Sequence, residues 1–393
     1  MTKFYVFIAL LLLIMLLPVL WLATKPKTGP PVAEPVENDA VWFTVDVKSE
    51  PTHVVAGHPV SLIFEIKDSS GRVVPDFEIV HEKPMHLVVV RDDLAIFQHI
   101  HPQRTPSGEY SVVTSFPSAG AYRLYLDYTP KDAPAQLARK EIEVAGPSHK
   151  RVQLVADKKY TRRTGDLLVT MRPSKPLKAG EAITLTFDVA EAQTGKPVKD
   201  LQPYLGAMGH FVAISEDTTE YLHAHPLDKN GSPMPMAGSG VANSGQPVVS
   251  GGPEVMTRTS FPKPGLYKLW AQFQRAGHVI TAAYVVGVGE GEIEDAVEPS
   301  TTEDGMQQIK ITVGEKGYEP SSVRLRRGIP ARLLFYREDD NNCAGQMIIR
   351  NLDIRKKLPV GKLVAVQFTP EREGKYTFTC GMNMLRGTLV VTQ

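Results

Sequence analysis

Three sulfur-bearing side chains lie within five residues of one another near the carboxyl end of the chain: Cys380, Met382 and Met384. The other cysteine, Cys343, lies 37 residues earlier in the same C-terminal segment. Thiolates and thioethers are soft ligands, and soft ligands crowded into one short loop suit cuprous copper better than other common biological ions. The residue types and their spacing therefore predict a metal site in this segment.

The sequence around this loop resembles the closing hairpin of a cupredoxin, a Greek-key β-sandwich whose metal-binding cysteine ends one strand and whose next ligands lie in the following loop. The residues that resemble it are EGKYTFTCGM at 373–382 and RGTLVV at 386–391, and the resemblance covers about residues 305–393. Blue copper proteins of this family use two histidines, one cysteine and a weak axial methionine. Residues 305–393, however, contain no histidine.

Cys343 falls about where the first histidine of the family would be. The resemblance therefore implies a sulfur-only site that favours Cu(I) and suits copper carriage more than electron transfer; its ligands would be Cys343, Cys380 and one or both of Met382 and Met384, with Met347 as a weaker candidate.

The alternative is a structural disulfide between Cys343 and Cys380, because two cysteines in a small exported domain usually pair. Neighbouring methionines, which a disulfide does not need, favour the metal site. Both states could hold under different redox conditions.

The amino-terminal segment is apolar. Residues 4–23 carry no charge and are about long enough to cross a bilayer as a helix. A cleaved secretory signal usually has small residues before its cleavage site, whereas Trp21 and Leu22 precede Ala23 here. We expect an uncleaved single-pass anchor over 1–24 in the inner (cytoplasmic) membrane, with the folded part on the periplasmic side; a cleaved signal is the alternative. The proline-rich residues 25–39 are expected to form a stiff spacer.

The rest of the chain predicts an all-β protein. The sequence has 31 prolines and 31 glycines among short apolar runs, which is typical of strands joined by many turns. Apart from the anchor, no long window has a helical repeat. The net charge is +1, which gives no reason to expect nucleic acid as a partner. Residues 290–304 hold seven acidic and no basic side chains and are predicted to be a solvated linker.

An internal repeat lies between the spacer and the linker. Residues 85–102 align without a gap on residues 209–226, and the offset is 124 for each matched pair of histidines. A second pair of blocks, 116–125 and 261–270, aligns at an offset of 145. The second copy therefore carries an insertion, expected to be a mobile loop at 228–253. The histidine pairs are His86 and His210, His99 and His223, and His101 and His225.

The repeat predicts two immunoglobulin-like β-sandwiches, at 40–147 and 148–289, followed by the cupredoxin-like domain at 305–393. Similar sandwiches with a His-x-His-Pro motif occur in exported bacterial proteins linked to metal handling. The two histidines of the motif alternate on a strand, so both imidazoles point to one face. If the strand carrying His86 or His210 is adjacent, three nitrogens converge in each copy, a donor set that suits Cu(II) or Zn(II).

The alternative is that these imidazoles only hydrogen-bond a turn at the sandwich edge. Met85, His81, Met208 and His278 have no match between the copies and are expected to be peripheral.

Catalytic signatures such as a nucleophile elbow or a His-Glu-x-x-His pattern are missing, so we expect no enzyme; a copper oxidoreductase would need the histidine and sulfur sites to cooperate.

The sequence as a whole predicts a membrane-anchored, extracytoplasmic copper-binding protein that serves copper resistance, buffering or delivery. A copper transporter or chaperone is its candidate partner. The alternatives are an electron carrier and a disulfide-stabilised structural or interaction module without metal.

Overall fold

The computed structural model describes residues 43–131, 133–147, 149–224, 226–227, 251–291, 296–302, 304–314, 317–339, 344–381 and 385–393. The regular elements of this part are strands and one 3-10 turn, Arg350–Leu352, so the all-β prediction is confirmed. None of its elements is a helix of the length and apolarity that crossing a bilayer requires. The predicted anchor, the spacer and residues 228–250 of the predicted insertion lie outside the described residues.

The first repeat forms two four-stranded antiparallel sheets, with strand orders β1-β2-β6-β5 and β4-β3-β7-β8. Alternate residues of β2 are buried, from Val60 to Ile66, because one face of this strand packs into the core between the two sheets. The eight strands are β1 (Thr44–Glu50), β2 (Pro59–Lys67), β3 (Met85–Arg91), β4 (Phe97–Ile100), β5 (Gln103–Arg104), β6 (Tyr110–Ser115), β7 (Gly120–Tyr128) and β8 (Gln136–Val144).

The second repeat also forms two four-stranded sheets, with orders β14-β11-β10-β9 and β13-β12-β15-β16. The offset of 124 holds in the strand register, since Val88 pairs with His99 in the first repeat and Val212 pairs with His223 in the second. The strands are β9 (Thr161–Thr164), β10 (Leu167–Pro173), β11 (Ala182–Glu191), β12 (His210–Ser215), β13 (Tyr221–Ala224), β14 (Glu254–Ser260), β15 (Gly265–Arg275) and β16 (His278–Val288).

Every residue of β3 and of β12 is buried, whereas a strand that faces solvent on one side shows alternation. The outer faces of the two sheets pack against each other and form a separate apolar cluster that includes Val88, Val90, Val212 and Ile214. We call this contact the repeat interface. It adds a second buried layer outside each sandwich.

The repeat interface has the pattern of a two-fold contact within one chain. Tyr125 stacks on Tyr221 with ring centroids 4.8 Å apart, and Trp270 stacks on Phe97 at 4.5 Å. Tyr125 and Trp270 occupy equivalent positions in the two repeats, as do Phe97 and Tyr221. Each repeat thus presents the same pair of positions to the other, which is how an isologous interface is built.

The C-terminal part forms two five-stranded sheets around an apolar core that includes Ile311, Phe335 and Phe378. One sheet has the order β17-β18-β21-β24, with β19 paired to β18, and the other has the order β20-β26-β25-β22-β23. The strands are β17 (Ser300–Thr301), β18 (Gln307–Gly314), β19 (Gly317–Glu319), β20 (Ser322–Arg326), β21 (Ala331–Arg337), β22 (Gln346–Ile349), β23 (Ile354–Lys357), β24 (Leu363–Phe368), β25 (Gly374–Cys380) and β26 (Arg386–Thr392).

Packing at the repeat interface should contribute measurably to stability. Replacing Trp270, which is 3% exposed, by alanine removes its stacking on Phe97 and leaves a cavity. We expect a loss of about 3 kcal/mol in the free energy of unfolding, measured by urea titration with circular dichroism. Trp270→Phe should lose less, and Val113→Ala, at a position 72% exposed, should lose almost nothing. A loss for Trp270→Ala no larger than that for Val113→Ala would contradict this account.

Candidate metal centres

Strands β3 and β4 bring three histidines of the first repeat together. Leu87 pairs with Ile100, so the same antiparallel register places His86 opposite His101. Both side chains lie on the outer face of the sheet, beside His99. One ring nitrogen from each of these three histidines lies within 4.8 Å of the others. The convergence that the sequence suggested for this copy is therefore present in the geometry.

Hydrogen bonds to neighbouring groups determine which ring nitrogen carries the hydrogen in two of these histidines. Nε2 of His86 lies 2.9 Å from the backbone oxygen of Val80. Nδ1 of His99 lies 2.7 Å from Oε1 of Gln272. Both partners are acceptors, so these nitrogens carry the hydrogen and donate it. The Gln272 amide is itself oriented, because its Nε2 donates to Thr281 at 3.2 Å.

The second repeat places two histidines in the same arrangement. Nδ1 of His210 lies 3.5 Å from Nε2 of His223, and Nδ1 of His223 lies 3.1 Å from a carboxylate oxygen of Asp127. Nε2 of His210 is buried and has no hydrogen-bond partner among the described residues. His225, the third predicted ligand of this copy, lies outside the described residues.

The histidines of the two repeats do not form two separate groups. His81 lies 5.0 Å from His210 between ring centroids, and His86 lies 5.9 Å from His223. We call the group formed by His81, His86, His99, His101, His210 and His223 the interface histidine cluster. It lies at the edge of the repeat interface, where both sheets contribute rings.

His81 corrects one expectation from the sequence. The sequence predicts a peripheral position because His81 has no matching histidine in the second repeat, yet His81 is 5% exposed and lies among the cluster rings. The position equivalent to His81 is Leu205, and both residues take a positive φ, 50° and 52°, in the same turn. Met85 is buried in the core of the first repeat, Met208 packs on that of the second, and His278 is exposed, so these three do not join the cluster.

Burial keeps four of the cluster imidazoles neutral, those of His86, His99, His101 and His210. It is the main cause that lowers the pKa of His99 to about 3, with the charge of His101 as the second cause. Burial likewise lowers the pKa of His101 to about 4, and it lowers the pKa values of His86 and His210 well below 6.5. At neutral pH each of these rings therefore offers an uncharged nitrogen, which is the form that ligates a metal.

In the C-terminal part, Cys380 is the last residue of β25, as the sequence suggested, and its side chain is fully buried. The backbone N–H of Leu385 donates to its Sγ at 3.3 Å, and the N–H of Cys380 donates to the backbone oxygen of Leu385 at 3.1 Å. These two bonds hold the sulfur beside Leu385, the residue before β26. An N–H donated to sulfur stabilises the thiolate, which is the ligating form.

Met347 is the strand partner of Cys380, so the two side chains lie on the same face of the sheet. It is also fully buried. The other sequence-predicted ligands of this site, Cys343, Met382 and Met384, lie outside the described residues.

Both repeats contact the strand ends around Cys380. The side-chain amide of Gln346 donates to the backbone oxygen of Ala135 at 3.2 Å, and that oxygen also lies 2.3 Å from where a Cβ on Gly381 would be. Arg386, in turn, forms an ion pair with Glu220 of the second repeat at 2.6 Å. Gly381, directly after Cys380, is therefore covered by the segment that joins β7 to β8.

Comparison with known proteins agrees with this division of the chain. Residues 39–146 and 162–290 match the family described as "Domain of unknown function (DUF8832)". These two stretches make up more than half of the chain, and the protein belongs to this family. Residues 295–391 match the cupredoxin-like domain. A search of curated proteins finds no match.

Three solved structures are similar to parts of the chain. The metal binding domain of the Cu(I) exporting P-type ATPase CopA of Streptococcus pneumoniae D39 is 33% identical, over 26% of this chain and 100% of that one, with a TM-score of 0.25. A copper binding protein in the apo form is 35% identical, over 23% and 92%, with a TM-score of 0.22. The Escherichia coli adhesin FdeC is 16% identical, over 62% and 64%, with a TM-score of 0.20.

Acid should destabilise the metal-free protein through the cluster. Between the folded pKa of His99, about 3, and the unfolded value near 6.5, the unfolded chain binds the extra proton. The free energy of unfolding should therefore fall as the pH drops from 7 to 5, by about 1.4 kcal/mol per pH unit below 6.5 for one such histidine. Urea unfolding of chelator-treated protein at pH 7, 6 and 5 measures this slope.

The matched variants for this slope are His99→Gln and His278→Gln. His99→Gln should make the dependence on pH shallower, whereas His278→Gln, at an exposed position, should leave it unchanged. Equal slopes for the two variants would show that His99 is not buried in its neutral form.

Proposed function

We propose that this protein binds copper outside the cytoplasm and holds Cu(I) in its C-terminal domain, for copper resistance, buffering or delivery. The observation that carries the proposal is the environment of Cys380. In a domain that matches the cupredoxin-like family, this buried sulfur ends β25 and accepts an N–H, and Met382 and Met384 follow it in the sequence.

The ligand chemistry favours the cuprous ion. Residues 305–393 contain no histidine, so a metal at this loop would have Cys380, Cys343 and the loop methionines as its protein ligands. Soft sulfur donors stabilise Cu(I), and without imidazole the oxidised state gains little. This supports carriage of copper over electron transfer, which is the competing function for a domain of this fold.

A structural module without metal is the second alternative, in which Cys343 and Cys380 form a disulfide. Two observations favour the metal site: Leu385 donates to the Cys380 sulfur, and Met347 lies on the same face of the sheet. A disulfide needs neither a hydrogen-bond donor nor a thioether beside it. The proposal therefore has the two cysteines reduced when copper is bound.

Binding of Cu(I) to the full chain, measured under reducing conditions by competition with a chromogenic chelator, tests this function. Cys380→Ser should weaken binding by about 100-fold or more, and Met384→Leu by about tenfold, which corresponds to about 1.4 kcal/mol for the loss of one thioether. Met256→Leu, in β14 of the second repeat, is the matched control and should have no effect.

Equal Cu(I) affinity of the wild type and the Cys380→Ser variant would contradict the proposal. So would thiol counting that finds Cys343 and Cys380 paired and resistant to mild reductant, and in that case the structural-module function would replace it.

We further propose that residues 4–23 anchor the protein in the inner membrane with the domains on the periplasmic side. In this arrangement the protein exchanges copper with a membrane transporter or a chaperone and catalyses no reaction. The support is the uncharged apolar run and the residues Trp21 and Leu22 before Ala23, which fit poorly with signal cleavage.

Cell fractionation and amino-terminal sequencing test the anchor. We expect the mature chain in the membrane fraction with its first residues intact. A soluble mature chain that begins near Thr24 would show instead that the segment is a cleaved signal.

A further inference from the structure

Two nitrogen lone pairs face each other in the interface histidine cluster. His86 uses its Nε2–H toward Val80, and His99 uses its Nδ1–H toward Gln272, so the remaining nitrogen of each neutral ring carries a lone pair. These two nitrogens, Nδ1 of His86 and Nε2 of His99, are 3.2 Å apart. Two lone pairs at this distance repel each other unless a cation lies between them.

The spacing fits a shared metal ion. Nitrogen ligands lie 2.0–2.1 Å from a tetrahedral zinc ion, which places neighbouring ligands about 3.3 Å apart. The third histidine of the first repeat, His101, has a nitrogen within 4.8 Å of both. Three neutral imidazoles at these distances form a donor set for Cu(II) or Zn(II), the ions that imidazole suits.

Buried nitrogens without partners point to the same conclusion. Nε2 of His101 and Nε2 of His210 are both inaccessible to solvent and have no hydrogen-bond partner among the described residues. His210 is fully buried. Because a buried polar atom left unpaired costs free energy, such atoms in a native protein usually indicate a missing water or ion.

We propose that the two repeats together hold one divalent transition-metal ion in the interface histidine cluster, with His86, His99 and His101 as ligands and Gln272 of the second repeat as the residue that orients His99. This centre differs from the sulfur site in its ligands and in the ion it takes. It does not depend on the proposed Cu(I) function.

The outer partners cross between the repeats in both directions. Gln272 of the second repeat bonds His99 of the first, and Asp127 of the first repeat bonds His223 of the second. Gln272 and Asp127 occupy equivalent positions, 145 residues apart, as His99 and His223 do at 124. Each repeat therefore orients a histidine of the other, and the centre is complete only when both are packed together.

Charge also fits a divalent ion. Asp127 brings a buried carboxylate to the same group of rings through its contact with His223. A carboxylate that accepts from the outer nitrogen of a histidine raises the basicity of the inner one. The His210 and His223 rings lie beside these ligands, with centroids 5.9 to 6.4 Å from those of His86 and His99.

The test uses the full chain with Cys380→Ser, which removes the sulfur ligand, and titrates it with Zn(II) or Cu(II) at neutral pH. We expect one ion per chain by calorimetry, and nitrogen couplings in the electron paramagnetic resonance spectrum of the Cu(II) form. His101→Gln removes a ligand whose Nε2 has no hydrogen-bond partner in the described part of the chain, so it should abolish tight binding while the circular dichroism spectrum stays unchanged.

Gln272→Leu tests whether the second repeat contributes. Loss of an outer partner typically costs 10–100-fold in metal affinity, and we expect a loss of that size although Gln272 lies in the other repeat. Gln274→Leu, two residues further along β15, is the matched control and should bind like the parent.

Two results would overturn the proposal. Absence of a nitrogen-bound ion in the Cys380→Ser chain would show that the cluster holds no metal, whatever the wild type binds as Cu(I). Equal affinities for Gln272→Leu and Gln274→Leu would show that the first repeat binds its ion without the second. A failure of the Cu(I) function would leave both measurements unaffected, because they are made without the sulfur ligand.

Discussion

The repeat interface is the contact on which the rest of this structure depends. It buries the outer faces of β3 and β12, so that two sandwiches with separate cores also share a third apolar cluster. Its aromatic pairs are reciprocal: Tyr125 with Tyr221, and Phe97 with Trp270. The same packing brings the histidines of both repeats within reach of one another. If the repeats separated, Asp127 and Gln272 would each lose a histidine partner.

Elements of the interface also reach the sulfur site. Strand β7 carries Asp127, which bonds His223, and the segment that follows this strand presents Ala135 to Gly381 and Gln346. On the other repeat, Tyr221 stacks in the interface while the preceding residue, Glu220, pairs with Arg386, the first residue of β26. The C-terminal domain is thus packed on both repeats at the end where Cys380 lies.

Much of this architecture could be predicted from the sequence because it is local or repeated. Alternation and turn residues predict strands, the constant offset of 124 predicts matched registers, and the run ending at Cys380 predicts the closing hairpin. The match between the copies also gave a wrong prediction for His81, which has no matching histidine. The fold brings the His81 ring to His210 from a turn, and the equivalent turn of the second repeat carries Leu205. A criterion based on duplication cannot find a residue that only one copy contributes.

The joining of the two histidine groups was not predicted, because it arises from packing between repeats. A signal for that packing was present: Leu87, Val88, Val89 and Val90 form a continuous apolar run, which is typical of a strand covered on both faces. Asp127 and Gln272, polar residues at equivalent places in buried strands, were a second signal. Neither signal indicates which surface of the protein covers the outer face of the strand. Neither therefore predicts the hydrogen-bond partners of His99 and His223.

X-ray absorption at the copper edge tests the central claim most directly, using the full chain loaded with one equivalent of Cu(I) under reducing conditions. We expect a first shell of sulfur atoms without the multiple scattering of imidazole, since residues 305–393 offer sulfur and no histidine. A shell dominated by imidazole nitrogen would contradict it, because the cuprous ion would then lie outside residues 305–393 and the C-terminal domain would not be the copper carrier.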